Sequence, residues 1–284
     1  MSIVVTGATG KLGRHVVEQL LEKVPAERIT AVVRDEAKAA DLAERGVRLA
    51  VADYNAPETF DGLFAAGDKV LLISGNEFDK GRPAQHKVVI DAAAAAGVAL
   101  LAYTSAPGGL TAALADDHRA TEEILLASGV PYALLRNGWY FENYTENLAP
   151  VLAHGAVVQA AGDGRVSAAS RADYAAAAVA VLTGEGHENK TYELGGDESF
   201  GFAEYAAELS RRTGREITYT PVSPEAFAGI LTGAGLPEVF AGILAAVDVS
   251  VGKGELVVST GDLSRLAGRP TTTLTEAVAA AVEA

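Results

Sequence analysis

Ile3-Val4-Val5-Thr6-Gly7-Ala8-Thr9-Gly10-Lys11-Leu12-Gly13 lies at the start of the chain and decides its fold. A short β-branched run ends at Thr6, and a glycine fingerprint, Gly7-x-x-Gly10-x-x-Gly13, follows at once. Leu12, Val16, Val17, Leu20 and Leu21 then recur at helical spacing up to Pro25. Strand, tight turn and helix are the context that gives such a glycine pattern meaning. Gly7 permits the sharp turn, Gly10 lets backbone approach a pyrophosphate, and Gly13 lets the helix pack close to the strand. The helix start offers N–H groups without intrahelical acceptors, at the positive end of the helix dipole. Gly7, Ala8, Thr9, Gly10, Lys11, Leu12 and Gly13 are therefore the first candidate site, and a dinucleotide is its expected ligand.

The same alternation continues beyond the loop. Strands are predicted at 3–5, 28–33, 47–52, 69–73, 99–104 and 132–136, each a nearly continuous Val, Leu, Ile and Ala run. Such runs suit parallel strands buried on both faces. Helices are predicted from Pro57 to about Ala66, from Pro83 to Ala96, and from Asp116 or Asp117 to Gly129. This pattern predicts an α/β fold, a Rossmann-type doubly wound parallel sheet with ligand at the carboxyl ends of the strands. After about Asn147 the pattern loosens. Asp173 is read as the cap of an alanine-rich helix, with a strand at 191–194, a helix at 202–212 and a strand at 216–220. Ser223-Pro224 reads as a helix start, residues 249–254 as a glycine-rich stretch poor in helix, and Thr273 to Glu276 as a capping box. The expected division is a dinucleotide-binding domain over 1–147 and a smaller α/β C-terminal lobe over 148–284, returning in part to the sheet.

Composition bounds the function. The chain has 284 residues, 49% of them hydrophobic, enough for a substantial core. Its formal net charge of −14 disfavours nucleic acid and anionic membrane surfaces as partners. The absence of cysteine excludes disulfides, thiolate metal sites and cysteine catalysis. Five histidines are scattered without metal-ligand spacing, so no metal is expected. The longest apolar stretch, around residues 92–103, is too short to span a bilayer, and the strand at the start leaves no room for a signal peptide. A cytoplasmic protein is expected, with the oligomeric state, a homo-oligomer included, left open.

Cofactor choice is read at the end of the second strand. An acidic residue there usually accepts hydrogen bonds from the adenosine ribose. Here the strand ends Ala31-Val32-Val33-Arg34. A guanidinium at this position can grip a 2′-phosphate, with Lys11 adding charge, so NADP (as NADPH) is expected. A solvated arginine is the bland alternative, and Asp35 still allows NAD. Asp53 and Tyr54 fall where the adenine would lie, and Ser74, Gly75 and Asn76 beside the pyrophosphate and ribose, although each can be turn chemistry alone. Thr104 and Asn137, at the ends of the fifth and sixth strands, join the cofactor set. So does Arg171 in Ser170-Arg171-Ala172-Asp173, whose alternative is an ion pair between lobes.

What is missing narrows the chemistry. Many short-chain dehydrogenases pair a serine after the fifth strand with Tyr-x-x-x-Lys. This chain has Tyr103-Thr104-Ser105, then Asp117-His118-Arg119-Ala120-Thr121-Glu122. His118 stands in the tyrosine's place, where it reads as a capping or surface residue more readily than as a proton donor. Glu122 stands in the lysine's place. A ketone needs such an acid. A quinone does not, because its reduced anion is phenolate-like, with a pKa of about 10.

The sixth strand leads into Leu135-Arg136-Asn137-Gly138-Trp139-Tyr140-Phe141-Glu142-Asn143-Tyr144, which holds the only tryptophan. Its rings and asparagines suit a flat, weakly polar acceptor. An aromatic hinge between lobes is the alternative.

These segments together resemble atypical short-chain dehydrogenases of the NmrA-like group, and within it the type-2 NADPH:quinone oxidoreductases. The resemblance rests on the glycine loop, Ala31 to Arg34, Ala52-Asp53-Tyr54, Ala102 to Ser105, the Asp-His-x-x-Thr-Glu helix and the aromatic segment. It also includes Ala-Ala-Gly-Asp-Gly at 160–164, Arg-Ala-Asp-Tyr at 171–174 and Gly-x-Pro-Thr-Thr-Thr-Leu at 268–274. It implies reduction of a small aromatic quinone by NADPH without flavin, with nicotinamide contacts from Gly138, Trp139, Tyr140, Phe141, Glu142 and Asn143. Tyr140 and Asn143 are the residues expected to orient substrate and nicotinamide. Phe141 departs from the group's pattern and is expected to reshape the substrate pocket. The resemblance also allows a dinucleotide sensor without turnover, or a reductase of another activated acceptor.

Overall fold

The computed structural model describes residues 1–77 and 81–283. The chain forms two compact units. Unit 1 comprises Met1–Ala106, Asp117–Asn137 and Arg171–Tyr192, and unit 2 comprises Pro107–Asp116, Gly138–Ser170 and Glu193–Ala284. The division does not fall at one point near residue 147. Residues 171–192 return to unit 1 because they supply a helix and a strand to its sheet.

In chain order unit 1 runs β1 (Ile3–Val5), α1 (Lys11–Leu21), β2 (Ile29–Val33), α2 (Ala40–Glu44), β3 (Arg48–Val51), β4 (Lys69–Leu72), α3 (Arg82–Ala96) and β5 (Leu100–Ser105). Then come α4 (Leu114–Ala127), whose first turn belongs to unit 2, and β6 (Tyr132–Asn137). The six strands agree with the sequence reading to within a residue or two. They pair in parallel, in the order β3-β2-β1-β4-β5-β6. The order reverses between β1 and β4, the place where a doubly wound sheet opens a crevice. β1, β4 and β5 are buried at every residue, as strands covered on both faces must be. Val4, Val32, Val70, Leu72, Leu101, Tyr103 and Leu134 meet Val89, Ile90 and Ala93 of α3 and Leu125 of α4 on one face.

The second-half elements of the chain are α5 (Glu142–Thr145), α6 (Ala149–His154), β7 (Ala156–Gln159), β8 (Arg165–Val166), α7 (Arg171–Thr183), β9 (Lys190–Leu194), β10 (Phe200–Gly201), α8 (Phe202–Thr213) and β11 (Thr218–Pro221). Four helices follow: α9 (Pro224–Gly233), α10 (Glu238–Gly252), α11 (Asp262–Ala267) and α12 (Leu274–Glu283). α7 and the first part of β9 belong to unit 1. β9 extends the sheet beyond β6. α7 covers α1, and Gln19 donates to the Ala172 carbonyl at 2.9 Å.

In unit 2, β7 pairs with β11 in parallel and β8 with β10 antiparallel. Its core is aromatic: Phe141 stacks on Phe200 at 5.5 Å, with Tyr144, Phe202 and Tyr205 around them. Ser223 caps α9 by accepting from the Ala226 N–H. Thr273 and Glu276 close the expected box on α12, with Thr273 N–H donating to Glu276 at 2.8 Å and Glu276 N–H donating back at 3.2 Å.

Three sequence expectations are corrected. The helix expected from Pro57 is a single tight turn, Pro57–Phe60. Thr59 bonds back to the Ala56 carbonyl at 2.6 Å, and Gly62 follows at a φ of 69°, both of which oppose propagation. Residues 249–252 are helical, because Ala241, Ala245, Asp248 and Val251 bury one face of α10 and outweigh its glycines. α7 starts at Arg171, so Asp173 lies within its first turn and does not cap it. No helix among the described residues is long and apolar enough to cross a membrane.

Candidate functional site

Thr6 closes β1 and starts the loop. Its N–H donates to the Leu71 carbonyl at 3.0 Å, tying β1 to β4. Gly7 takes a φ of 61°, and Gly10 N–H closes the turn onto the Gly7 carbonyl at 2.9 Å. A Cβ on Gly13 would lie 2.2 Å from the Gly7 carbonyl oxygen, so only glycine lets α1 start this close. Ala8 and Leu12 are buried, while Gly10 and Lys11 face solvent. α1 has no side-chain cap and no acidic residue in its first turn. The loop thus presents N–H groups and a helix dipole to an anion, which fits a pyrophosphate.

Arg34 follows β2 and is exposed, with Glu77 at 3.5 Å. Glu77 also accepts from Asn55 and Gln85, each at 2.9 Å. Asp53 accepts from Asn55 twice, at 2.9 and 3.0 Å, so its carboxylate holds its own turn. Tyr54 shares a short hydrogen bond with Thr6, 2.5 Å, and donates to the Ile73 carbonyl at 2.8 Å. Burial pushes its phenol up. Ser74 N–H donates to Thr104 Oγ1 at 2.9 Å, and Gly75 N–H to His86 Nε2 at 2.9 Å. Asn76 is exposed. Thr104 and Asn137 are buried at the carboxyl ends of β5 and β6, and Arg171 is buried at the start of α7. Unit 1 therefore brings the loop, Thr104, Asn137 and residues 74–76 to one edge of its sheet.

The residues standing where a ketone-reducing apparatus would be are spent on one another. Ser105 donates to Glu122 at 2.6 Å, and Arg136 forks onto Glu122 at 2.9 and 2.6 Å. His118 is not a surface residue. It is buried, with Nδ1 2.9 Å from the Tyr103 hydroxyl and Nε2 3.2 Å from Arg82. Arg82 can only donate, so Nε2 accepts and the ring is neutral. Burial and the Arg82 charge hold its pKa well below the usual imidazole value. The polar helix start concealed this, because the partners come from α3 and β5.

In unit 2 the aromatic segment is held by backbone. Gly138 N–H donates to the Leu194 carbonyl at 2.7 Å, Ala169 N–H to Trp139 at 3.1 Å, and Phe141 N–H to Ala169 at 3.0 Å. The side chains divide. Trp139, Tyr140 and Glu142 are half-buried and Asn143 is exposed. Phe141 is 3% exposed and stacks on Phe200, so its ring is part of the aromatic core of unit 2.

A sequence model described as NAD(P)H-binding matches residues 7–185. The chain belongs to the NAD(P)H-binding, NmrA-like family. Among family relatives, it is 46% identical to quinone oxidoreductase 2 of Escherichia coli K12 over 97% of each chain. The crystal structure of the E. coli NADPH-dependent quinone oxidoreductase complexed with NADPH superposes with a TM-score of 0.94, covering 98% of this chain and 99% of that one. The Citrobacter triphenylmethane reductase complexed with NADP(H) gives a TM-score of 0.94 at 42% identity, covering 99% and 100%. Family membership accords with the glycine loop. His86, absent from the sequence-based candidates, carries no motif, and its role is visible only through the Gly75 contact.

Proposed function

We propose that the protein is an NADPH-dependent quinone reductase that works without flavin. The observation that carries this reading is the similarity to quinone oxidoreductase 2 along the whole chain. Bound NADPH would supply hydride from its nicotinamide ring. Residues 7–13 would hold the pyrophosphate, and Arg34 the 2′-phosphate. Ser74, Gly75, Asn76, Thr104, Asn137 and Arg171 would bind along the rest of the cofactor, and Asp53 would contribute through the turn it holds. Gly138, Trp139, Tyr140, Glu142 and Asn143 would supply nicotinamide contacts, with Tyr140 and Asn143 orienting the acceptor. Ser105, His118 and Glu122 are locked in buried pairs, which suits an acceptor that needs no strong acid.

The likeness to a triphenylmethane reductase favours one competing acceptor, a conjugated dye. The test is oxidation of NADPH at its absorbance band with benzoquinone, a triphenylmethane dye and a small ketone. Quinone kcat/KM should exceed that for the ketone by at least about a hundredfold, the worth of one general acid. Preferred turnover of the dye would move the reading to that acceptor. Tight NADPH binding with no turnover would leave a sensor.

A further inference from the structure

We propose that His86 is a positioning residue of the dinucleotide site, fixing the peptide between Ser74 and Gly75 so that the Ser74 carbonyl faces a ligand hydroxyl. This rests on the reading that unit 1 binds a dinucleotide.

His86 lies on α3 and is fully buried. Its Nε2 is 2.9 Å from the Gly75 nitrogen. A backbone N–H only donates, so Nε2 is the acceptor and the ring proton sits on Nδ1. Nδ1 lies 2.9 Å from Thr121 Oγ1, which accepts, and Thr121 donates its own proton to the Asp117 carbonyl at 2.7 Å. The hydrogen bonds therefore run in one direction, from Gly75 through His86 and Thr121 to Asp117. Burial, helped by the Arg82 charge, holds the His86 pKa down to about 3, so the ring stays neutral.

A trans peptide points its N–H and C=O in opposite directions. The Gly75 N–H is drawn inward to a ring that solvent does not reach, so the Ser74 carbonyl of the same peptide points away from α3. The preceding peptide is fixed in the same manner: Ser74 N–H donates to Thr104 Oγ1 at 2.9 Å, and the Ile73 carbonyl accepts from Tyr54 at 2.8 Å. Among the described residues, no protein donor reaches the Ser74 carbonyl. A sugar hydroxyl is the donor class that such a carbonyl suits.

Two substitutions separate this role from packing. In His86→Gln the terminal amide overlies Nε2, and its oxygen can still accept from Gly75. In His86→Asn the amide overlies Nδ1, so the Thr121 contact is kept and the Gly75 contact is lost. NADPH affinity is measured by calorimetry, and exchange of the Gly75 amide is followed by NMR on the protein without cofactor. His86→Asn should weaken NADPH about tenfold, the worth of one hydrogen bond to a buried group. It should also speed Gly75 exchange, while His86→Gln recovers most of both. KM for NADPH should rise in His86→Asn with kcat kept, as for a contact made equally in ground and transition states. Thr121→Val leaves His86 in place but removes the acceptor for Nδ1–H, favouring the tautomer that faces Gly75 with a proton. It should reproduce the loss in a fold that His86 still packs. Wild-type affinity and slow Gly75 exchange in both His86→Asn and Thr121→Val would overturn the proposal. So would equal losses in the Gln and Asn variants when both melt alike. Failure of the wild type to bind NADPH at all would overturn the dinucleotide reading and the proposal with it.

Discussion

The carboxyl edge of the sheet in unit 1 and the aromatic segment of unit 2 carry the candidate chemistry by different means. In unit 1 the candidate groups are largely backbone N–H and C=O, held by side chains such as Tyr54 and Thr104. In unit 2 the backbone of residues 138–141 is tied to Ala169 and Leu194, and the side chains divide between core and surface. A site made of backbone tolerates few residue types, because glycine or a small hydroxyl must stand at fixed points. A site made of side chains needs its neighbours packed first.

The largest expected effect falls on unit 2. Phe141→Ala removes a ring 3% exposed and stacked on Phe200. It should lower unfolding free energy by about 3–5 kcal/mol in urea titration. A loss below about 1 kcal/mol would return Phe141 to the pocket wall and break the contrast.

Gly10→Val strikes the backbone site. A Cβ there would already meet the Gly7 carbonyl oxygen at 3.1 Å, and the methyls would fill the space a pyrophosphate needs. NADPH affinity should fall by at least about a hundredfold while the far-ultraviolet circular dichroism stays native. Unchanged affinity in calorimetry would mean that phosphate binds elsewhere.

Arg34→Asp tests a side chain at the rim of that backbone site. Arg34 is 65% exposed, so solvent weakens its grip. The preference for NADPH over NADH should fall roughly tenfold. Equal affinity of the unaltered protein for both cofactors would show that Arg34 reads nothing.

A pH-dependent effect concerns Asp248, buried on α10 in unit 2. Burial pushes its carboxyl up from 3.8 to about 7, against the Ala160 N–H that favours the charged form. The folded protein therefore keeps a proton that the unfolded chain releases near pH 4. This contribution is fully present below pH 4 and is lost as pH rises to about 7. Asp248→Asn should gain melting temperature over wild type at pH 8 and not at pH 4. A parallel pH dependence of the two melting temperatures would place the proton elsewhere.

Most of unit 1 was legible in the sequence because strands buried on both faces appear as uninterrupted apolar runs. The loop was legible because Gly7 and Gly13 answer backbone constraints that no other residue meets. The end of α10 was not legible, since it is held against residues 160–164, distant in the chain. His86 and His118 were not legible either. Their neutrality rests on burial, on the Arg82 charge and on the donors Gly75 and Arg82, which only the folded topology gathers. The stacking of Phe141 was not legible, because its partner Phe200 lies far along the chain.

The chain passes between its units at residues 106, 116, 137, 170 and 192. During synthesis, β1 to β6 therefore emerge well before α7, the helix that covers α1. At ordinary translation rates the intervening segment takes roughly two to seven seconds. For that interval α1 lacks the helix that packs on it in the finished fold. A gene truncated at residue 147 would make that interval permanent, yielding an aggregating fragment in place of a free-standing cofactor domain.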